Sequence, residues 1–161
     1  MPQRVRELVP TIGRCSWQAA MVSDADWNAV VRSVDGYRTR EPVQPAALDH
    51  AEATLHVLLP ETLRDLYLAT DGVLDEPGQW LVIWPIVKLV TRNAEAYAAE
   101  GDRRRALVGF GDDGTGSPFC VRSGGGDEVL SWSAIDQRAT HLADDLVSFW
   151  TGWVAGTLPP H

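Results

Sequence analysis

The stretch Gly109-Phe110-Gly111-Asp112-Asp113-Gly114-Thr115-Gly116-Ser117-Pro118 constrains this chain more than any other. It lies between two strand-like runs, Ala106–Phe110 and Phe119–Arg122. The spacing G-x-G-x-x-G after a strand is a dinucleotide fingerprint only when a helix opens there, so that its amides face the pyrophosphate. Here Thr115-Gly116-Ser117-Pro118 leads into another strand, and two carboxylates stand where phosphate charge would go. The segment therefore predicts a tight glycine-rich connection in which Gly109, Gly111, Gly114 and Gly116 let one strand turn and re-enter a sheet. No cofactor is expected. Asp112, Asp113 and Thr115 lack the alternating acidic ligands and distal Glu of a calcium loop, so they are expected as turn residues facing water.

Hydrophobic periodicity places helices before that connection. Ser23-Asp24-Ala25-Asp26 reads as an N-cap, followed by Trp27, Val30, Val31 and Val34 on one face. Residues 1–22 show no period, and Thr39–Pro45 reads as a linker with two prolines. A second helix starts at Pro45, with Leu48, Ala51 and Leu55 on a stripe. Pro60 is placed as the first residue of a third helix carrying Leu63, Leu66, Tyr67 and Thr70, with Asp71-Gly72 as its stop.

The pattern then changes. Gln79–Trp84 reads as a strand, Ile86–Val90 as its extension beyond Pro85, and Asn93–Glu100 as a short helix. Glu128–Trp132 forms another strand, joined to Phe119–Arg122 by a turn at Gly124-Gly125-Gly126. Leu142, Leu146, Phe149, Trp150 and Trp153 share a closing helix that ends at Gly156. Helices, an antiparallel sheet and a final helix define the α+β class, not alternating α/β.

Charge narrows the function. The chain of 161 residues has a net charge of −8. Residues 1–40 hold six basic and four acidic groups, so the remaining eight basic and eighteen acidic groups leave −10 on residues 41–161. That excludes the basic footprint of a nucleic-acid binder, and Arg103-Arg104-Arg105 is read as a solvated loop. Acidic residues gather at Asp71, Asp75 and Glu76, at Asp112 and Asp113, and at Asp127 and Glu128. These seven are the candidate partner-binding face, able to steer a basic protein. Asp144-Asp145 is a further acidic pair.

No catalytic or metal-ligating constellation is expected. His50 and His56 do not share a helix face, no CxxC or H-E-x-x-H occurs, and Cys120 reads as a core thiol. Cys15 and Cys120 form no disulfide framework, and the N-terminal segment has no secretory apolar region, so a cytoplasmic location is expected. No apolar run is long enough to span a bilayer. The seven Trp are expected mostly in the core, with one or two as anchors for a protein partner; Trp80 and Trp84 should point to the same side of their strand.

Several of these pieces occur in an order that resembles the SUKH superfamily, the Smi/Knr-like domains. They are Leu59-Pro60-Glu61-Thr62-Leu63, Thr70-Asp71-Gly72, Ile83-Trp84-Pro85-Ile86, the Gly109–Val121 stretch, Glu128–Ser133 and the aromatic closing helix. The resemblance spans 45–156, with 1–44 as an extension bearing one helix at about 24–35, and 157–161 as a tail. It departs where Ser117 replaces the usual acidic residue of the central loop. The resemblance implies amphipathic helices around a mixed or mostly antiparallel sheet, and no shared catalytic residues. Bacterial members are mostly immunity proteins that neutralise a toxin by direct binding; many of the toxins are nucleases, and the acidic charge here fits a basic one. The alternatives are a regulatory adaptor of a housekeeping pathway and a small enzyme or ligand-binding domain, the last requiring a polar pocket that gathers His56, His141 or Cys120 with a carboxylate.

Overall fold

The computed structural model describes residues 26–77 and 80–160. The unperiodic lead-in, Cys15, Trp17, most of the Ser23–Asp26 cap and the glycine at 78 lie outside the described residues.

Seven strands form one sheet in the order in which they occur, every neighbouring pair antiparallel. They are β1 (Tyr37–Thr39), β2 (Val73–Asp75), β3 (Trp80–Ile83), β4 (Leu107–Asp112), β5 (Pro118–Arg122), β6 (Val129–Ser133) and β7 (Arg138–Ala143). The helices are α1 (Trp27–Arg32), α2 (Pro45–Leu55), α3 (Glu61–Ala69), α4 (Ile86–Glu100), α5 (Asp102–Arg105) and α6 (Leu146–Ala155). The α+β class and the C-terminal helix are as expected, and the sheet is antiparallel throughout.

Alternation along the strands gives the sheet two faces. Val108, Phe110, Phe119, Val121 and Val129 belong to the main core, which also takes Trp27 and Val31 of α1, Leu48 of α2, Leu66 and Tyr67 of α3, Leu89 of α4 and Phe149 and Trp150 of α6. Phe119 and Phe149 meet edge to face, with centroids 4.7 Å apart, a favourable arrangement for ring quadrupoles. The opposite face carries a smaller cluster of Leu107, Cys120, Leu130 and Trp132. Helix α1 and strand β1, from the segment before residue 45, thus share the core and sheet of the rest.

Four expectations are corrected. Pro60 is the N-cap of α3, not its first residue. Ile86–Val90 is not strand: Pro85 caps a single fifteen-residue helix, α4, and Asp71 Oδ1 accepts from the Ile86 amide at 2.7 Å. That capping bond overrides the β-propensity of Ile86, Val87 and Val90. Leu142 lies on β7, and α6 starts only at Leu146, where the Asp145 carboxylate caps Ser148 N at 2.7 Å. Arg103–Arg105 is helical, with Arg104 buried. Strands β1 and β2 add one edge, and β7 the other, that periodicity did not predict. The turn at Gly124–Gly126 is as expected, all three glycines having positive φ.

Leu66 is fully buried on α3. Leu66→Ala is expected to lower unfolding free energy by about 2–5 kcal/mol through lost transfer energy and a residual cavity, measured by urea denaturation. Alkaline pH gives a second check. Burial raises the Tyr97 hydroxyl from 10.0 to about 12, against a smaller opposing pull from Arg104. The neutral form is therefore favoured in the folded state, and stability should fall as pH rises from 10 towards 12. Tyr97→Phe should make that fall shallower.

Candidate functional site

A groove of about 510 Å³ opens between α4 and the face of the sheet carrying the smaller cluster. Its helical wall is Lys88, Arg92, Glu95, Ala96, Ala99 and Glu100, successive positions on one face of α4. Its sheet wall includes Trp80, Trp84, Asp112, Pro118 and Trp132, with Arg104 also lining it.

The glycine motif builds this wall. Strand β4 carries a register shift between Gly109 and Gly111, which places Gly109 opposite Cys120 and Gly111 opposite Phe119. A side chain at Gly109 would meet Arg104 Nη2 at 2.8 Å, and one at Gly111 would collide with the Val82 carbonyl. At Gly114 (φ 90°) the indole of Trp80 occupies the space a Cβ would need. Gly109 and Gly111 therefore give room for close approach, and the chain reversal falls to Gly114 and Gly116, the two with positive φ.

Three indoles are fixed by hydrogen bonds to oxygens. Trp84 Nε1 donates to Asp112 Oδ2 at 2.6 Å, Trp80 Nε1 to the Asp112 carbonyl at 3.3 Å, and Trp132 Nε1 to Glu100 Oε2. Trp80 and Trp84 do point the same way, but both serve as walls rather than as exposed anchors. Lys88 Nζ lies 5.2 Å from the centre of the Trp84 ring and 3.8 Å from Asp112 Oδ2. Arg92 meets Glu95 through one contact at 3.5 Å.

Arg104 is only 1 % exposed. Its Nη1 donates to the Leu107 carbonyl at 2.7 Å and its Nη2 to Asn93 Oδ1 at 3.0 Å, while Nε has no acceptor. The guanidinium carbon sits 5.6 Å from the centre of the Tyr97 ring. Among the described residues no carboxylate forms an ion pair with it. Burial drives the nearby Cys120 thiol up to about 11, an effect Arg104 opposes and Glu100 reinforces; such a thiol is a poor nucleophile at neutral pH.

The seven acidic candidates divide between the two ends of the sheet. Asp75, Glu76, Asp112 and Asp113 lie at the end holding the β2–β3 and β4–β5 turns, beside the groove. Asp71, Asp127 and Glu128 lie at the other end, as the antiparallel order requires. Asp112 is not a free turn carboxylate: its side chain is 16 % exposed and binds Trp84 and the Gly114 amide. Asp113 accepts from Thr115 N at 2.8 Å, the expected Asx turn. Glu76 pairs with Arg38, Glu128 pairs with Arg122, and Asp127 accepts from the Thr62 hydroxyl.

His56 and His141 are exposed and away from the groove lining, as is buried Cys120, so the polar pocket that an enzyme reading required is not assembled from them. Among the described residues no His, Cys, Asp and Glu group could hold a metal ion. Sequence reasoning missed Lys88, Arg92, Glu95, Glu100 and Arg104. The i, i+4, i+7, i+12 spacing of the first four was a usable signal once Pro85 is taken as a helix cap.

An antiparallel meander flanked by helices, with a tryptophan-walled groove at its glycine bend, defines an α+β domain. The sequence pattern of the SMI1 / KNR4 family (SUKH-1) matches residues 42–151. The chain belongs to that family. No curated protein gives a significant sequence match. No helix among the described residues is long and apolar enough to cross a membrane.

Gly109→Ala is expected to cost about 1–3 kcal/mol, because its methyl group must displace the buried Arg104 guanidinium. Thermal unfolding of the purified variant measures this. Gly116→Ala, with open space around it, should show only the smaller penalty of its positive φ.

Proposed function

We propose that this chain is a cytoplasmic immunity-type protein that neutralises a cognate toxin by direct, stoichiometric binding, without turnover. The observation that carries this reading is membership of the SMI1 / KNR4 family together with a groove of fixed geometry. Indoles held by carboxylate and carbonyl oxygens present a preorganised surface, which limits the ordering cost of association.

Charge sets the partner's character. The −10 carried by residues 41–161 speeds encounter with a basic protein such as a nuclease, and contacts that exclude water then hold the complex. Asp75, Glu76 and Asp113, at the groove end, form the steering face, with Asp112 holding the wall behind them. Asp71, Asp127 and Glu128 are a second acidic rim at the far end. Occlusion of a basic cleft would inhibit the toxin with no bond made or broken.

The test is co-expression with the product of the neighbouring upstream gene, followed by co-purification. Rescue of growth and a one-to-one complex are expected. Neither rescue nor complex, with a housekeeping gene as neighbour, would turn the reading to a regulatory adaptor. In the complex, Asp75→Lys with Glu76→Lys should slow association about tenfold at low salt, with the gap closing as ionic strength rises. Stopped-flow rates at two salt concentrations measure this.

A further inference from the structure

The groove's charge does not match the chain's. Lys88, Arg92 and Arg104 line it beside Glu95, Glu100 and Asp112. The hydrogen-bonding capacity of the two signs is unequally used. Asp112 Oδ2 accepts from Trp84 and its Oδ1 from the Gly114 amide, and Glu100 accepts from Trp132. Lys88 and Arg92 each have a carboxylate neighbour yet keep donors to spare. Lys88 Nζ has no carboxylate closer than 3.8 Å, and Arg92 makes a single contact at 3.5 Å. Arg104, 1 % exposed, has no carboxylate partner among the described residues and an Nε without an acceptor. A buried guanidinium lacking a counter-charge is costly, and an anion in the groove that Arg104 lines would offset that cost.

We propose that the groove is a binding site for a small organic anion, a carboxylate carried on a flat apolar body. The carboxylate would lie towards Lys88, Arg92 and Arg104, which supply charge-assisted donors. The flat body would lie against Trp80 and Trp132, whose ring positions are already fixed. The volume of about 510 Å³ falls within the range of about 300–1,000 Å³ that holds small ligands. An acidic side chain of a protein partner would fill only a fraction of it. Of the groove carboxylates Asp112 and Glu100 are bound by indoles and Glu95 by Arg92 alone, so discrimination against a cationic ligand rests on the unpaired charge of Arg104. The groove is the one on which the toxin-binding reading also draws, but the two fail separately: a failed titration leaves co-purification with the toxin untouched, and a failed co-purification leaves the titration untouched.

The experiment titrates the isolated full-length chain with indole-3-acetate, following the indole N–H resonances of Trp80, Trp84 and Trp132 by NMR. Neutral indole-3-acetamide and cationic tryptamine are the matched controls. Saturable shifts of these three resonances are expected with indole-3-acetate, with affinity about tenfold above either control. Lys88→Met keeps the aliphatic stem over Trp84 and removes the charge, and with Arg92→Gln it should weaken indole-3-acetate binding several-fold while leaving thermal stability nearly unchanged. Three results would overturn the proposal: no saturable shift up to about 10 mM, tryptamine binding as tightly as the acid, or Lys88→Met with undiminished affinity. Response only to an acidic peptide would also overturn it, and would assign the groove to protein docking.

Discussion

The side-chain amide of Asn93 holds the groove half of this molecule together. Its Nδ2 donates to the Gly109 carbonyl at 2.7 Å and its Oδ1 accepts from the Gly109 amide at 2.8 Å. One side chain thus satisfies both main-chain groups of one strand residue, as a neighbouring strand would. The need arises from the sheet. Strands β3 and β4 pair in register only at Ile83 and Gly111, and Trp84 N still reaches the Phe110 carbonyl. Beyond that point β3 has ended, and Gly109 would be left with buried unpaired groups, at roughly 1–3 kcal/mol each. Asn93 is itself fully buried on α4, so helix and strand are fixed relative to each other at this contact.

The same amide determines where the buried charge sits. Asn93 Oδ1 also accepts from Arg104, while the ring of Tyr97, one turn further along α4, lies beneath the guanidinium. Tyr97 donates to the Leu107 carbonyl, the carbonyl that Arg104 also uses. These groups form one connected network whose members are worth more together than apart. Gly109 is the residue that makes it possible, since its missing side chain is the space that Arg104 fills. The glycines of the motif thereby acquire separate physical reasons: room for a guanidinium, for a neighbouring carbonyl, and for an indole ring.

Much of the frame was legible in the sequence. Stripes such as Leu48, Ala51, Leu55 and Leu63, Leu66, Tyr67 report a one-sided burial that only a helix satisfies. The glycine triplet at 124–126 reports positive φ directly. Strands β1 and β2 were not legible because three residues carry too little alternation to show a period, and their existence depends on pairing with β3. Helix α4 was misread because Ile86, Val87 and Val90 favour strands locally, while the capping bond comes from Asp71, fifteen residues earlier. The groove was still less legible. Trp84 and Asp112 are 28 residues apart and Trp132 and Glu100 are 32 apart, so only the folded sheet brings them together. The basic run at 103–105 misled for the opposite reason: burial of Arg104 requires a glycine on another element, which no local pattern announces.

The two charge systems of this domain act over different distances. An outer excess of carboxylates sets a field felt across about 8–10 Å of salt solution, which would influence how often a basic partner such as the one proposed arrives and in what orientation. The groove's cations act at contact, where desolvation strengthens each hydrogen bond. Long-range attraction and short-range selection therefore need not favour the same sign. If the groove takes anions as proposed, a ligand drawn by the outer field would still bind poorly there if it brought a second ammonium beside Lys88. Asp112 joins the two systems: it belongs to the acidic end of the sheet by position, yet its oxygens are committed to Trp84 and Gly114. Its charge contributes to the field outside while its hydrogen bonds shape the wall inside, so changing it alters both at once, whereas Asp75 and Lys88 can each be changed to separate them.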